Sequence, residues 1–359
     1  MDQQGNVQIE SPVRKENSRI LGMILAGGSG KRLMPITADI PKPLVELKPG
    51  YTVMDKQLMD MKNAGISKVV ILAGHRSEKI IARYGDSWNN ISIRYSVDKG
   101  VQRGTWGAIK DAIGEMGLSG PAVIMNGDVV TDIPIAEVIK KDGNPVTILG
   151  IPMVSQYGII DISGDRVSKF LEKPILPYSI SGGIYYVKDL AQLMDYGKTL
   201  EDSQNSIEYD IFPRIAADSK LGVYKEDNIN EFLWKSIDSI KDLEEVQRLY
   251  RTRTDKPWGY ELLVANTSHY LQKKLFIKKN YRTSMHYHDK KMETLHIVYG
   301  KVKLDLEEGK HEILNQGDSR TIMPKEVHSI MALETTLIDE SSTPYLEDTI
   351  RVKDFYEAR

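Results

Sequence analysis

The chain has 359 residues, with 48 Lys plus Arg against 50 Asp plus Glu, a net charge of −2 and no cysteine. That length predicts about two domains, each able to bury its own core. Balanced charge gives no global pull toward nucleic acid or an anionic membrane, and the missing thiols exclude disulfides, thiolate metal sites and cysteine nucleophiles, so a small-molecule partner and a cytoplasmic location are expected.

Met1 to Asn17 is polar and mixed in charge and reads as an unstructured tail. The apolar run Ile20 to Ala26 is far shorter than the roughly 18 residues of a spanning helix. It ends in Gly27-Gly28-Ser29-Gly30 with no small-residue cleavage pattern, so neither an anchor nor a signal peptide is expected. From Ile20 to about Ala217 short apolar runs (Ile20 to Ala26, Lys68 to Ala73, Ile91 to Ser96, Ala122 to Met125, Val146 to Ile151) alternate with helix-like stretches (Asp55 to Ala64, Ser77 to Tyr84). Such alternation predicts an α/β domain with a mixed, mostly parallel sheet, and ligands collect at the carboxyl ends of such strands. Asp238 to Thr252 places Ile240, Leu243, Val246 and Leu249 at helical spacing and closes this domain, 18–250. Beyond Lys256-Pro257 the pattern becomes period-two with turns, as in Lys301 to Leu306, predicting an all-β domain over 256–355.

The segment Leu25-Ala26-Gly27-Gly28-Ser29-Gly30-Lys31-Arg32-Leu33 follows a buried strand and carries glycines where backbone N–H groups can approach phosphate without Cβ obstruction. Lys31, Arg32 and the Lys42 of Pro41-Lys42-Pro43 add positive charge. The run lacks the first glycine and the Ser/Thr of a Walker loop, and it lacks the third glycine of the dinucleotide fingerprint. Neither a P-loop ATPase nor a simple dinucleotide oxidoreductase is expected.

Gly27-Gly28-x-Gly30-x-Arg32-Leu33-x-Pro35-x-Thr37 with Pro41-Lys42-Pro43 resembles the signature of the sugar-1-phosphate nucleotidylyltransferases, a GT-A-like, Rossmann-like family. The likeness continues in order through Val101 to Thr105, Asn126-Gly127-Asp128, Tyr157-Gly158, Glu172-Lys173-Pro174, Gly183-Ile184-Tyr185 and Glu208 to Pro213. The resemblance implies transfer of a nucleotidyl group from a nucleoside triphosphate to a sugar 1-phosphate, with Mg²⁺ as cofactor. It implies that Arg32 and Lys42 hold the triphosphate, that Asp128 ligates Mg²⁺ and that Lys173 holds the sugar phosphate. Leu25, Ala26, Gly27, Gly28, Gln102, Gly104 and Thr105 become nucleotide-binding, and Gly158, Glu172 and Gly183 border the sugar. One departure stands out: Trp234-Lys235-Ser236-Ile237-Asp238 carries Ser236 where the family has a second metal-binding Asp. Asp238 either takes over that role or caps the following helix. Ser181, where Asn is common, is a smaller departure.

Six of the seven His fall after Pro257. His286-x-His288 shares one strand face, Glu293 returns toward it, and His328 comes from a later strand; three nitrogens and a carboxylate suit Zn²⁺, Mn²⁺, Fe²⁺ or Ni²⁺. His269, His296 and His311 read as non-ligands, His296 because its strand parity opposes Glu293. Arg282, Lys291 and Arg320 read first as a solvated basic face and second as a phosphate cradle. The pattern His286-x-His288-x4-Glu293-x6-Gly300, with Gly317 to His328, resembles the two cupin motifs, although Asn280 replaces a glycine and Pro324 is displaced by one. Lys256-Pro257-Trp258-Gly259-Tyr260-Glu261 is similar to the start of cupins of the type II mannose-6-phosphate isomerases. This implies a cupin barrel, a homodimer through it, and mannose 1-phosphate with GTP as substrates, giving GDP-mannose. Uridylyl, thymidylyl or cytidylyl transfer, and a regulatory protein that binds a nucleotide sugar, are the alternatives.

Overall fold

The structure, a computed structural model, describes residues 19–98, 103–141, 143–200, 205–226 and 232–356. The expected N-terminal tail and Gln102 lie outside the described residues. The chain divides into two compact units, the first ending at Glu244 and the second starting at Glu245.

The strands of the first unit are β1 (Leu21–Ala26), β2 (Glu46–Lys48), β3 (Tyr51–Thr52), β4 (Lys68–Ala73), β5 (Ser87–Trp88), β6 (Ile91–Val97), β7 (Ala122–Asn126), β8 (Val129–Thr131), β9 (Val146–Val154), β10 (Ile159–Ser163), β11 (Arg166–Leu171), β12 (Ile175–Val187), β13 (Leu221–Lys225) and β14 (Trp234–Ser236). Eight of them form one sheet in the order β13-β9-β12-β7-β1-β4-β6-β5. β1 runs parallel to β4 and β7, β4 parallel to β6 and β9 parallel to β13, whereas β12 lies antiparallel between β7 and β9. The sheet is therefore mixed and mostly parallel.

Both faces are covered, which is why the central strands read as continuous apolar runs. Met23, Leu72 and Ile124 pack with Trp106, Ile109 and Ile113 of the helix Gly104–Met116. Ile24, Ile71 and Met125 point the other way, toward Met54, Leu58 and Met61 of the helix Val53–Asn63. Full burial of side chains of this size stabilises the fold by about 1.5–3 kcal/mol each. That second helix also shapes the carboxyl end of the sheet. A capping box between Thr52 and Asp55 fixes its start, and one turn on Gln57 Nε2 donates to the carbonyls of Asn126 and Val129, both at 2.9 Å. The chain between them is held as a tight bend. Gly127 N–H donates to Leu25 O at 3.0 Å, and a Cβ on Gly127 would stand 2.4 Å from that oxygen, so only glycine lets β7 turn against β1 here.

The second unit contains β15 (Arg253–Lys256), β16 (Gly259–Asn266), β17 (Leu271–Ile277), β18 (Met285–His288), β19 (Glu293–Tyr299), β20 (Lys301–Leu306), β21 (His311–Asn315), β22 (Ser319–Ile322), β23 (His328–Ala332), β24 (Thr336–Ser342) and β25 (Thr349–Lys353). They form a six-stranded sheet, β15-β16-β17-β24-β19-β22, and a five-stranded one, β21-β20-β23-β18-β25. Their pairings are antiparallel. Leu275, Ile277, Leu295 and Ile338 of one sheet meet Val302, Leu304, Ile330 and Ala332 of the other in a single core, as the alternation along each strand requires. Among the described residues no helix is long and apolar enough to cross a membrane.

Candidate functional site

A cavity of about 410 Å³ opens at the carboxyl ends of β1, β4 and β7. It is lined by Leu25, Ala26, Gly27, Gly28 and Ser29, by Lys42 and Pro43, by Asn126, Gly127 and Asp128, and by Asp98, Gly104, Thr105 and Ala108. The glycine turn is thus one wall of an open cleft. Gly104 starts its helix at φ 74°, and a Cβ there would stand 2.2 Å from Asn205 O, so a side chain at this position would displace the wall. Thr105 Oγ1 donates to Glu208 Oε2 at 2.9 Å, and Tyr185 donates to Glu208 Oε1 at 3.1 Å. This inner network stiffens the floor under the helix start.

Cations and carboxylates from distant parts of the chain meet beside the glycine turn. Lys42 Nζ lies 2.7 Å from Asp128 Oδ2 and 3.0 Å from Asp238 Oδ1, and Arg32 Nη2 lies 2.8 Å from the same Asp238 oxygen. The tertiary cause is a short ladder. β14 pairs antiparallel with β8, placing Ser236 opposite Val129, and Ile237 N–H donates to Asp128 O at 2.9 Å. Asp238 therefore comes alongside Asp128. Burial by itself would raise the Asp238 carboxyl; the hydrogen bond and charge of Lys42, the Ser236 hydroxyl and the Arg32 charge outweigh it and hold the group below the ordinary carboxylate range. The helix cap belongs to another residue. Ser239 Oγ accepts from Asp242 N–H at 3.2 Å while the Asp242 carboxylate accepts from Ser239 N–H at 2.9 Å, a capping box that leaves the Asp238 side chain to the cations.

Other expected residues lie apart from this cluster. Gly183, at φ 70°, abuts Asn126 and Val129, so it adjoins the cavity wall. Gly158 and Glu172 sit together, a Cβ on Gly158 falling 3.2 Å from Glu172 Oε2. Glu172 and Lys173 are exposed in the turn between β11 and β12 and are not among the residues lining the cavity. Ser181 Oγ reaches Tyr185 at 3.5 Å. Asp98 was not anticipated. It follows β6 at the carboxyl end of the sheet, and that position is the signal by which the sequence could have flagged it. Burial and the nearby Asp111 charge raise its carboxyl, against the lowering effect of Arg103.

In the second unit His286, His288, Glu293 and His328 offer ligand atoms that all lie within 4.8 Å of one another. His286 and His328 are cross-strand partners on β18 and β23, and Glu293 opens β19 of the other sheet. The Nδ1 atoms of His286, His288 and His328 meet the carbonyls of Ser284, Asp348 and Glu326 at 2.8, 3.0 and 3.0 Å. A proton on Nδ1 leaves Nε2 as a lone-pair donor facing inward, the usual preparation of a ligating histidine. His288 Nε2 and His328 Nε2 are buried and, among the described residues, not hydrogen-bonded; they approach Glu293 at 3.3 and 3.0 Å without the alignment of a hydrogen bond. Burial and the charge of His328 push His286 down to about 3, so it is neutral at ordinary pH. The donor set fits a metal ion. His269 and His311 are exposed, and His296 points outward to Ser319 Oγ at 2.9 Å.

Arg282, Lys291 and Arg320 do not form a solvated face. Lys291 is 4% exposed, with Nζ 2.5 Å from Glu293 and 2.9 Å from Glu340. Arg282 pairs with Asp305, and Arg320 with Glu312 and Glu326. Sequence alternation missed the Lys291 and Glu340 pair because a buried ammonium is tolerated only beside a carboxylate brought in by another strand.

A family model described as nucleotidyl transferase matches residues 21–253. The mannose-1-phosphate guanyltransferase of Aspergillus fumigatus is 30% identical over 263 residues, covering 69% of this chain and 69% of that protein. "Probable mannose-1-phosphate guanylyltransferase 1" of Oryza sativa subsp. japonica is 31% identical over 212 residues, 55% of this chain and 57% of that protein. The chain thus spans little more than half the length of that relative. A crystal structure from Bacillus anthracis, described as a glucose-1-phosphate thymidylyltransferase in complex with a sucrose, aligns with a TM-score of 0.52 and 21% identity over 66% of this chain and 98% of that one, a likeness of fold.

Proposed function

We propose, since this chain belongs to the nucleotidyl transferase family, that it transfers a nucleotidyl group from a nucleoside triphosphate to a sugar 1-phosphate, with GTP and mannose 1-phosphate as the pair. The observation that carries the reading is the meeting of Arg32, Lys42, Asp128 and Asp238 beside a glycine-walled cavity. An oxygen of the sugar phosphate attacks the α-phosphorus, the bond to the bridging oxygen breaks, and pyrophosphate leaves with that electron pair. Such transfers are catalysed by positioning and by neutralising charge that develops on oxygen. Backbone N–H groups of Gly27 and Gly28 approach the phosphates, and Arg32 and Lys42 take up the charge of the departing pyrophosphate. Lys42 now holds two carboxylates together, as a cation between them would. Asp128 and Asp238 would hold Mg²⁺, which would supply the remaining charge neutralisation. Lys173, on an exposed turn, receives the sugar phosphate, with Gly158, Glu172 and Gly183 bordering the sugar. The substrate pair rests on the names of the relatives at about 30% identity.

For the second unit, 256–355 in our reading, the histidine geometry supports a cupin that holds Zn²⁺, Mn²⁺, Fe²⁺ or Ni²⁺ through His286, His288, Glu293 and His328, and the resemblance to cupins is the ground for reading a homodimer through it. The absence of cysteine supports a cytoplasmic setting. Ser236 at a position of expected metal-binding Asp favours one rival, a protein that binds a nucleotide sugar without turning it over.

A pyrophosphate-release assay of the purified chain, across GTP, ATP, UTP, dTTP and CTP with a panel of sugar 1-phosphates, tests the reading. GTP with mannose 1-phosphate is expected to be fastest. Binding of a nucleotide sugar with no turnover in any combination would favour the rival. His286→Ala is expected to empty the barrel of transition metal, measured by elemental analysis, while nucleotidyl transfer continues unchanged. A wild-type chain purified without transition metal, and taking up none when it is supplied, would argue for a purely structural barrel.

A further inference from the structure

The cavity holds one acidic side chain that the reading above leaves without a task. Asp98 sits at the end of β6, and Asp128 just beyond the end of β7. The sheet order β7-β1-β4-β6 puts three strand spacings between these ends, about 14 Å at the usual separation of neighbouring strands. Lys42 lies at the Asp128 end and Asp98 at the other, with the glycine turn between them. A carboxylate repels phosphate oxygens, so a nucleotide whose phosphates meet Lys42 directs its ribose and base toward Asp98. Asp98 is held rigidly there. Its N–H donates to Ala73 O at 2.9 Å, and its Oδ2 packs against the backbone of Gly27 and Gly74, where a Cβ on Gly74 would be only 2.8 Å away. Among the described residues no hydrogen bond to its carboxylate is present, although the group is half-buried.

We propose that the Asp98 carboxylate reads the Watson–Crick edge of the base and selects guanine. This rests on the nucleotidyl-transfer reading for the orientation of the nucleotide. Guanine alone presents two adjacent donors, N1–H and N2–H, that match the two oxygens of a carboxylate. Adenine and cytosine each set a ring-nitrogen acceptor beside their amino group, and uracil and thymine flank their single N–H with carbonyl oxygens that a carboxylate repels. A small residue, Ala108, also lines this cavity.

The test uses the whole chain with GTP, ITP, ATP, UTP and 2′-deoxy-GTP, reading binding by calorimetry without sugar phosphate and kcat/KM by pyrophosphate release. ITP lacks only the N2 amino group. Wild-type protein is expected to favour GTP over ITP by about tenfold or more, the range of one good bidentate base contact. Asp98→Asn should weaken GTP about 10- to 100-fold, mostly in KM, and narrow the GTP to ITP ratio while its melting temperature stays that of the wild type. Equal wild-type affinity for GTP and ITP overturns the assignment without any variant. A fall in the GTP to 2′-deoxy-GTP ratio with the base ranking unchanged also overturns it, because the carboxylate would then serve the ribose. Base-selective, Asp98-dependent binding with no turnover would retain the assignment and defeat the transferase reading alone; turnover with an unchanged base ranking in Asp98→Asn would do the reverse.

Discussion

Asp128→Asn is expected to lower kcat/KM for nucleotidyl transfer by about 1,000-fold, as loss of several kcal/mol of transition-state charge stabilisation would. The substitution keeps size and shape but removes the anionic oxygen at the end of β7, where we place the divalent cation. Folding should hardly change. The Lys42 and Asp128 pair is partly exposed, the kind of ion pair that contributes about 1 kcal/mol at most, and Lys42 keeps its second partner Asp238 at 3.0 Å. A melting curve alongside the kinetics separates the two effects. Wild-type turnover in Asp128→Asn would remove the foundation of the active-site assignment.

The second large effect concerns the displaced carboxylate. Asp238→Asn should reduce turnover by about 100-fold, the scale of losing one preorganised electrostatic contact. Adding Ser236→Asp to that variant should recover part of the loss, because Ser236 Oγ already lies 3.0 Å from Asp238 Oδ2 and a carboxylate at 236 reaches the same place. Ser239→Ala is the matching control. It removes the helix cap, at a cost of about 1 kcal/mol in stability, and should leave turnover intact. If Asp238→Asn retained full turnover and Ser239→Ala did not, position 238 would have no part in the chemistry.

Several elements were legible before any coordinates. The apolar runs located β1, β4, β7 and β9, whose central residues are buried on both faces, and β6, which alternates between buried and exposed positions. The order Gly27 to Pro43 marked the glycine turn and the Lys42 that line one cavity, a combination suited to phosphate. The two His on β18 were visible as a period-two pair, and parity alone set His296 apart. In each case the determining interaction lies within one or two turns of chain, so local residue order carries it.

What residue order left open involved partners distant in the chain. Asp238 could be a cap or a site carboxylate until the β8 and β14 ladder carried it beside Asp128 and the Ser239 and Asp242 box took over the cap. Lys291 looked like a surface cation until the neighbouring strand supplied Glu340. Asp98 had no motif to mark it, and became a cavity residue only because β6 lies two strands from β1. Charge and hydrogen-bond complementarity act across a few ångströms of space whatever the separation along the chain. Residue order therefore marks the glycine turn and the candidate carboxylates, and only the fold shows which of those carboxylates lie together.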